Sequence, residues 1–208
     1  TLKISLGAMG NLGMLAADGE EHTYVARATI KNQVEKRSED MVFGAGQIFA
    51  EVHLPYAVRL GLSYVPYSIE SETTTRKNTH MAYAGEADIT QKVQIDIDDM
   101  TTLYLSFHHA INDEQSVFIK AGLIQADLIT NEVLSTNSVY GNTTLDGQTA
   151  SIGYEHSLPN GFFVRGAADY TVFDDVSLNS TGDNANANKV LIRNMEGPSG
   201  TFSIGRNF

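Results

Sequence analysis

Residues 200–208 read GTFSIGRNF, and this closing stretch alternates between two kinds of side chain. Successive side chains of a strand point to opposite faces, so every second residue shares a face. One face is mostly apolar and carries Phe202, Ile204, Arg206 and Phe208. The other face is small or polar and carries Thr201, Ser203, Gly205 and Asn207. The pattern predicts a strand that lies between an apolar environment and an aqueous one.

The composition favours strands and turns over helices. The 208 residues include 18 glycines and 4 prolines, and threonine, serine and asparagine are frequent. No run approaches the ~18 apolar residues of a membrane helix, and no stretch combines an apolar helical stripe with capping residues. The net charge of −11 argues against nucleic acid as a partner, because phosphate binding needs a basic face. We therefore predict an all-β protein.

Seven further segments alternate as the closing stretch does, which makes eight predicted strands in all. These segments are TLKISLGAMGNLGML (1–15), GQIFAEVHLP (46–55), AVRLGLSYVPY (57–67), TTLYLSFHH (101–109), SVFIKAGL (116–123), ASIGYEHSL (150–158) and FVRGAADYTV (163–172). Residues 23–33 alternate too and are assigned to a strand-like extension inside the first loop.

Short and long connections between these strands alternate strictly. Short turns are predicted at 53–56, 111–115 and 158–161, and long polar loops near 16–41, 71–90, 130–148 and 177–190. Up-and-down barrels of outer membranes have this asymmetry, with short periplasmic turns and long external loops. We expect residues 1–208 to form one eight-stranded antiparallel transmembrane β-barrel domain.

The alternative is a soluble β-sandwich or lipocalin-like barrel, in which the apolar face would be the core. Against it, the polar faces combine small residues with charges of both signs, as the crowded lumen of a narrow barrel requires. Buried charges must be paired. We predict a lumen charge network that plugs the barrel, formed by Lys3, Glu51, Arg59, Lys120, Glu155, Arg165 and Asp169. The competing interpretation is that these residues lie at different heights and are each hydrated.

Aromatic residues cluster near both ends of the predicted strands, as in the two interfacial girdles of membrane barrels. Those toward the short turns are Tyr56, Phe107, Phe118, Phe162 and Phe208. Those toward the long loops are Tyr64, Tyr67, Tyr170 and Phe173.

The segment FSIGRNF resembles the C-terminal signal of bacterial outer-membrane β-barrels, which the assembly machinery reads. Phe202, Ile204 and Phe208 match its terminal aromatic and alternate hydrophobic positions. The chain is similar to the small eight-stranded members, and DMTTLYL, YGNTTLDGQT and NGFFVRG resemble segments of uncharacterised marine alphaproteobacterial barrels. The resemblance implies an outer-membrane location and contact with lipid, lipopolysaccharide and the assembly machinery. The absence of a signal sequence fits the mature form of an exported protein.

No motif predicts a metal, a cofactor or a catalytic site. His108 and His109 are strand neighbours that must diverge, so we interpret them as histidines of the periplasmic interface. Residues 96–100 (DIDDM) lack the glycine and the distal glutamate of a calcium loop and predict a solvated strand face. His156 with its neighbours Glu155 and Ser157, and His80 near Glu86 and Asp88, have no catalytic motif behind them.

Three functions remain open from the sequence. The first is a non-enzymatic, structural or surface-exposed barrel whose acidic loops contact an external partner, divalent cations bound to lipopolysaccharide, or a second copy. The second is a narrow porin-like channel for ions or small polar solutes. The third is a lipid-modifying enzyme, for which a His–Ser–carboxylate contact would be the structural sign. Conductance distinguishes the first two.

Overall fold

The computed structural model describes residues 3–23, 33–70, 74–78, 89–133, 139–180 and 189–208. Their secondary structure is eleven strands and one 3-10 turn. In chain order they are β1 (Lys3–Thr23), β2 (Gln33–His53), β3 (Val58–Tyr64), β4 (Ile69–Glu70), β5 (Thr74–Asn78), β6 (Ile89–Ala110), β7 (Gln115–Val133), β8 (Thr143–Ser157), the turn Pro159–Gly161, β9 (Phe162–Phe173), β10 (Val176–Asn179) and β11 (Lys189–Asn207). Within these ranges no helix is long and apolar enough to cross a membrane.

Eight of the strands close into a ring. The order is β1-β2-β3-β6-β7-β8-β9-β11, every pair is antiparallel, and β11 pairs back onto β1 from Ser5↔Asn207 onward. The amide of Phe208 also donates to the carbonyl of Ile4 at 2.8 Å. The short strands β4 and β5 pair with β6, and β10 pairs with β11. The predicted eight-stranded antiparallel up-and-down barrel is confirmed.

The two ends of the barrel differ. Both termini and three tight turns lie at one end, which we call the terminal end; the opposite end is the loop end. Each tight turn is closed by a backbone hydrogen bond, as in Leu54 N–H to the carbonyl of Val58 at 2.8 Å. In the third turn Asn160 and Gly161 have φ of 62° and 80°, which an Asn-Gly pair adopts more easily than most residues.

The strands run further into the loop end than the sequence predicted. β1 and β2 stay paired up to Thr23↔Gln33, so most of the predicted loop 16–41 is strand. In the same way β5, β6, β7, β8, β10 and β11 occupy parts of the loops predicted at 71–90, 130–148 and 177–190. The physical reason is that a strand beyond the lipid needs no apolar outer face, so its polar residues read as loop. Residues 24–32, with most of the predicted strand-like extension, and His80, Glu86 and Asp88 lie outside the described residues.

A belt of exposed apolar side chains surrounds the terminal two thirds of the barrel. Leu12 is 66% exposed, Ile119 is 59% exposed and Phe202 is 62% exposed. On β1 the outward apolar positions run from Ile4 to Met14, ten residue steps that rise about 34 Å along the strand. At a tilt of about 40° this is about 26 Å along the barrel axis, close to the apolar band of membrane barrels. In water such a belt would aggregate, so the barrel spans a membrane and is not a soluble β-sandwich.

The polarity of the two faces reverses toward the loop end, as β7 shows most simply. In the belt its outward residues are Val117, Ile119, Ala121 and Leu123, and beyond the belt they are Gln125 and Asp127. Its inward residues are Phe118, Lys120 and Gly122 in the belt and Ile124, Ala126 and Leu128 beyond it. The register with β8 is regular throughout, so the same parity of side chains continues while the polarity changes. The loop end therefore has an apolar core and a polar exterior.

Candidate functional site

Four buried charged side chains meet in the middle of the lumen. We call Glu51 (β2), Arg59 (β3), Glu155 (β8) and Arg165 (β9) the charge cluster; the exposed fraction of each is 9% or less. In the ring of eight, β2 lies opposite β8 and β3 lies opposite β9. The cluster therefore draws its members from opposite walls of the barrel.

Two bidentate ion pairs cross the lumen. Both terminal nitrogens of Arg59 donate to the carboxylate of Glu155, each at 2.8 Å. Both terminal nitrogens of Arg165 donate to the carboxylate of Glu51, each at 2.7 Å. A hydrogen bond between ionised partners is about twice as strong as a neutral one, and the planar two-point geometry adds specificity and energy.

Further contacts join the two pairs into one cluster. Arg165 Nε donates to Glu155 Oε2 at 2.5 Å, and Arg59 Nη1 lies 3.6 Å from Glu51 Oε2. The hydroxyl of Tyr104 donates to Glu51 Oε1 at 3.0 Å. Two positive and two negative charges thus neutralise one another without solvent. The complete pairing of these charges stabilises the fold, because a buried charge without a partner strongly destabilises a protein.

Aromatic rings pack around the cluster. The guanidinium of Arg165 lies 4.3 Å from the ring centre of Phe163 and 5.5 Å from that of Phe49. Phe118 is also part of this wall, with its ring centre 5.9 Å from the guanidinium. Phe118 and Phe173, both predicted for the interfacial girdles, point inward instead. Inward positions opposite glycines leave room for a ring, as where Phe118 lies over Gly153.

Local sequence explains why the cluster forms. Glu155 and Arg165 are direct partners across the β8–β9 hairpin, and Glu51 faces Gly61 across β2–β3. A Cβ at Gly61 would overlap the ring of Tyr104, so the absence of a side chain there lets the tyrosine reach Glu51. The signal for Tyr104 was present in TTLYLSFHH, since it shares its parity with Ser106 and His108.

A separate ion pair, outside the charge cluster, lies nearer the loop end. Lys120 Nζ is 3.5 Å from Asp169 Oδ1 and 5.4 Å from the ring centre of Tyr104. Asp169 also accepts hydrogen bonds from the hydroxyls of Ser151 and Thr201. Six of the seven residues predicted for the lumen network therefore face the lumen. The seventh, Lys3, is exposed at the terminal end of β1, opposite His53, and its place in the network stays a prediction.

His108 also points into the lumen, which corrects its interpretation as an interfacial histidine. Its Nε2 lies 3.1 Å from Ser106 Oγ, its ring stacks on Phe118, and its Nδ1 lies 4.0 Å from Glu155 Oε2 without a hydrogen bond. His109 is exposed, so the two histidines diverge as predicted. The cavity beside Ser106 and His108 measures about 20 Å³, which holds one or two water molecules.

Among the described residues, the remaining candidates bring no site together. Asp96 accepts hydrogen bonds from the side-chain amides of Gln94 and Asn131, and Asp99 accepts one from the Tyr64 hydroxyl at 2.7 Å. Within the described residues no three histidine or acidic side chains are placed to hold a metal ion.

Apart from Phe118 and Phe173, the predicted girdle and assembly-signal residues lie on or near the outer surface. Tyr56, Tyr67, Phe107, Phe162 and Tyr170 are exposed and Tyr64 is half-buried. Phe202, Ile204 and Phe208 are exposed along β11 and at the chain end that follows it. Arg206, between them, stacks on the rings of Phe162 and Phe208, with ring centres 5.3 and 5.1 Å away. Their roles as girdle and signal stay predictions.

Comparison with solved structures places the fold among known barrels. The chain is similar to the outer membrane protein OprG from Pseudomonas aeruginosa, with a TM-score of 0.54 and 11% identity over 99% of this chain and 95% of OprG. It is also similar to Neisserial surface protein A, with a TM-score of 0.46 and 10% identity over 96% and 97% of the two chains. No protein-family model matches the chain, and no curated protein matches its sequence.

The fold is that of the small outer-membrane β-barrels. Closed antiparallel barrels with a polar lumen and an outward apolar belt are characteristic of that membrane, so the predicted outer-membrane location follows from the architecture. The similarity to marine alphaproteobacterial barrels stays a prediction, since no comparison bears on it.

Proposed function

We propose that this protein is a non-enzymatic, structural outer-membrane barrel whose lumen is closed by the charge cluster. The observation that carries the proposal is the pair of bidentate bridges across the lumen, Arg59–Glu155 and Arg165–Glu51. An ion moving along the lumen would have to separate them. The adjoining cavity of about 20 Å³ supports closure, because a conducting path needs a continuous column of water.

The cluster has a second consequence for a structural role. Since each bridge joins walls that are not neighbours in the sheet, it holds the barrel cross-section together from inside. Removing one partner would leave a buried charge uncompensated, at a cost of about 3–5 kcal/mol. The same cost opposes transient opening of the lumen.

The surroundings of His108 favour a non-enzymatic role over hydrolysis. Ser106, His108 and Glu155 are the residue types of a nucleophile, a base and an orienting acid. However, the nearest oxygen of Glu155 already accepts from both Arg59 and Arg165, and Nδ1 of His108 stays 4.0 Å away from it. An ester or peptide group has no room in a space of one or two waters.

The loop end supplies the surface for partners. There the strands project beyond the apolar belt with polar outward residues such as Asp18, Gln125 and Asp146. We propose that lipopolysaccharide and external molecules contact this surface, that the assembly machinery reads the C-terminal strand, and that no nucleic acid is bound.

Single-channel recording in a planar lipid bilayer tests the closed lumen. We expect the wild type to be silent and Arg59→Ala and Arg165→Ala to show discrete current steps. Arg206→Ala is the matched control, because it removes an arginine from the outer face, and it should be silent. Should either variant fail to fold, Arg59→Gln/Glu155→Gln removes one bridge without leaving net charge. Steady openings of the wild type would contradict the proposal and favour the narrow channel.

A further inference from the structure

The apolar core at the loop end encloses an open space. A cavity of about 80 Å³ lies between the charge cluster and the loops. We call it the apolar chamber; its upper wall is formed by Leu15, Phe43, Ile97, Met100, Ile124 and Phe173. At 10–15 Å³ for each water this space admits roughly five to eight molecules. A methylene group takes up a volume similar to that of a water, so a chain of about six to eight carbons fits.

The floor of the chamber is polar. Lys120 and Asp169 line it, together with the hydroxyl of Thr102 and the amides of Asn11 and Gln47. Asp169 already accepts hydrogen bonds from the hydroxyls of Ser151 and Thr201. Lys120 has three donors, and its ion pair with Asp169, at 3.5 Å, is long. The floor therefore offers a hydrogen-bond donor to an oxygen-bearing head group beneath an apolar wall.

The barrel wall beside the chamber is not joined by a β-ladder. The pairing of β2 with β3 ends at Ile48↔Tyr64, whereas β2 continues through residues 33–47. The chain after Tyr64 turns away and pairs with β6 through β4 and β5. Within the described residues, no backbone ladder spans this seam between 41–47 and 65–70.

Hydrogen bonds to side chains, in place of a backbone ladder, connect the two sides of the seam. The Ser63 hydroxyl donates to Gln47 Oε1 at 2.9 Å, and the amide of Gly46 donates to the Tyr67 hydroxyl. Met41 and Phe43 on one side of the seam, and Ile69 on the other, also line the chamber. The apolar chamber therefore extends to the inner side of the seam.

The seam opens at the height of the belt. Val42, further toward the loop end than Gly46, is 68% exposed, and its pairing partner Met14 is 52% exposed. Since these outward apolar residues extend past the start of the seam, lipid chains contact the wall where the ladder is missing. An apolar molecule in the membrane has a short path to the chamber that avoids water.

We propose that the apolar chamber is a binding site for a small amphiphile, a hydrocarbon chain of about six to eight carbons with one oxygen-bearing head, which enters through the seam beside Tyr67. The chain packs against Ile97, Ile124 and Phe173, and the head accepts a hydrogen bond from Lys120. This site is separate from the charge cluster, and binding does not require the lumen to open.

Photo-crosslinking tests the site in the intact protein. The barrel is reconstituted in phosphatidylcholine vesicles with an eight-carbon alcohol that carries a diazirine on its chain, and labelled peptides are mapped by mass spectrometry. We expect saturable labelling of chamber residues, at least tenfold reduced by excess 1-octanol, and non-saturable labelling of the belt. Labelling confined to belt residues would overturn the proposal.

Two matched variants separate the chamber from the lipid surface. Ile97→Trp fills the chamber, and Ile119→Trp makes the same change on the lipid-facing side of β7. We expect the first to abolish chamber labelling and the second to leave it unchanged. If Ile97→Trp fails to fold, Tyr67→Phe, which removes only the hydroxyl across the seam, should speed the labelling of the chamber. Labelling of the chamber in Ile97→Trp that equals the wild type would refute the assignment. If only Tyr67→Phe folds, a rate of chamber labelling equal to that of the wild type would refute it.

Discussion

The belt half and the loop-end half of the barrel interior are stabilised in opposite ways, although the same strands form both. At the level of the belt, the outside is lipid and the inside holds the charge cluster, so stability within depends on complete pairing of charges. At the loop end, the outside is water and the inside is the core around Leu145, so stability depends on burial of apolar surface. The comparison teaches that side-chain parity follows the backbone, whereas the polarity of each face follows the solvent outside.

The largest effect is expected from breaking the charge cluster. Glu155→Ala leaves Arg59 and Arg165 to share the single carboxylate of Glu51, so we expect a loss of about 3–5 kcal/mol. The free energy of unfolding from lipid vesicles in urea measures it. Arg59→Gln/Glu155→Gln should cost clearly less, because it leaves no charge uncompensated. Equal losses in the two variants would mean that pairing is not what stabilises the lumen.

Truncation of leucines compares the loop-end core with the belt. Leu145 is fully buried, and Leu145→Ala should lower the free energy of unfolding by about 2–5 kcal/mol because it leaves a cavity. Leu123→Ala removes the same atoms from a side chain 63% exposed on the belt, where lipid fills the space, and should cost less than half as much. The urea titration measures both, and a reversed order would contradict an apolar interior at the loop end.

Arginine substitution along the outer face of β7 locates the boundary between the halves. Ile119→Arg places a charge in the middle of the belt and should cost about 2–4 kcal/mol. Gln125→Arg, six residues further on the same face, should cost about 1 kcal/mol or less because the side chain meets water. The same urea titration measures both, and similar costs would move the boundary of the belt.

A single methyl group tests how closely the cluster is packed. Gly61→Ala would push a Cβ into the ring of Tyr104 and should cost about 1–3 kcal/mol. Gly10→Ala is the control, since nothing lies within 4 Å of a Cβ at Gly10. Equal thermal unfolding temperatures for the two variants would show that Tyr104 moves freely and is not fixed by Glu51.

The smallest effect is a pH dependence at the loop end, outside the membrane. Hydrogen bonds from the Ser38 hydroxyl and the Asn194 amide hold the pKa of Asp18 below its usual value of 3.8. A lowered pKa in the folded protein stabilises it above the unfolded pKa, and this contribution is lost as pH falls through the folded pKa. Asp18→Asn should therefore flatten the dependence of unfolding temperature on pH below about 4, and an unchanged slope would contradict the assignment.

Period-two alternation was sufficient to predict the barrel and all four members of the charge cluster. It placed Glu51, Arg59, Glu155 and Arg165 inside because parity and the need to pair charges point the same way. It does not decide the place of Lys3, because parity alone does not say where a strand leaves the lumen.

The loop end could not be predicted on the same basis. Residues such as Asp18 and Asp146 fall in predicted loops, although they belong to strands, because they face water outside an apolar core. The chamber itself depends on where β2 separates from β3, and that departure follows from the pairing of residues 69–70 and 74–78 with β6, which no local pattern encodes.

The most direct test of the polarity reversal between the belt and the loop end is a nitroxide scan along β7. The chain contains no cysteine, so single cysteines at positions 117–128 can be spin-labelled without background. Electron paramagnetic resonance then compares accessibility to oxygen, which concentrates in lipid, with accessibility to a water-soluble nickel chelate. We predict oxygen access at 117, 119, 121 and 123, nickel access at 125 and 127, and low access to both at the even positions. Nickel access at 124, 126 and 128 would contradict the account, because it would place water where the apolar core should lie.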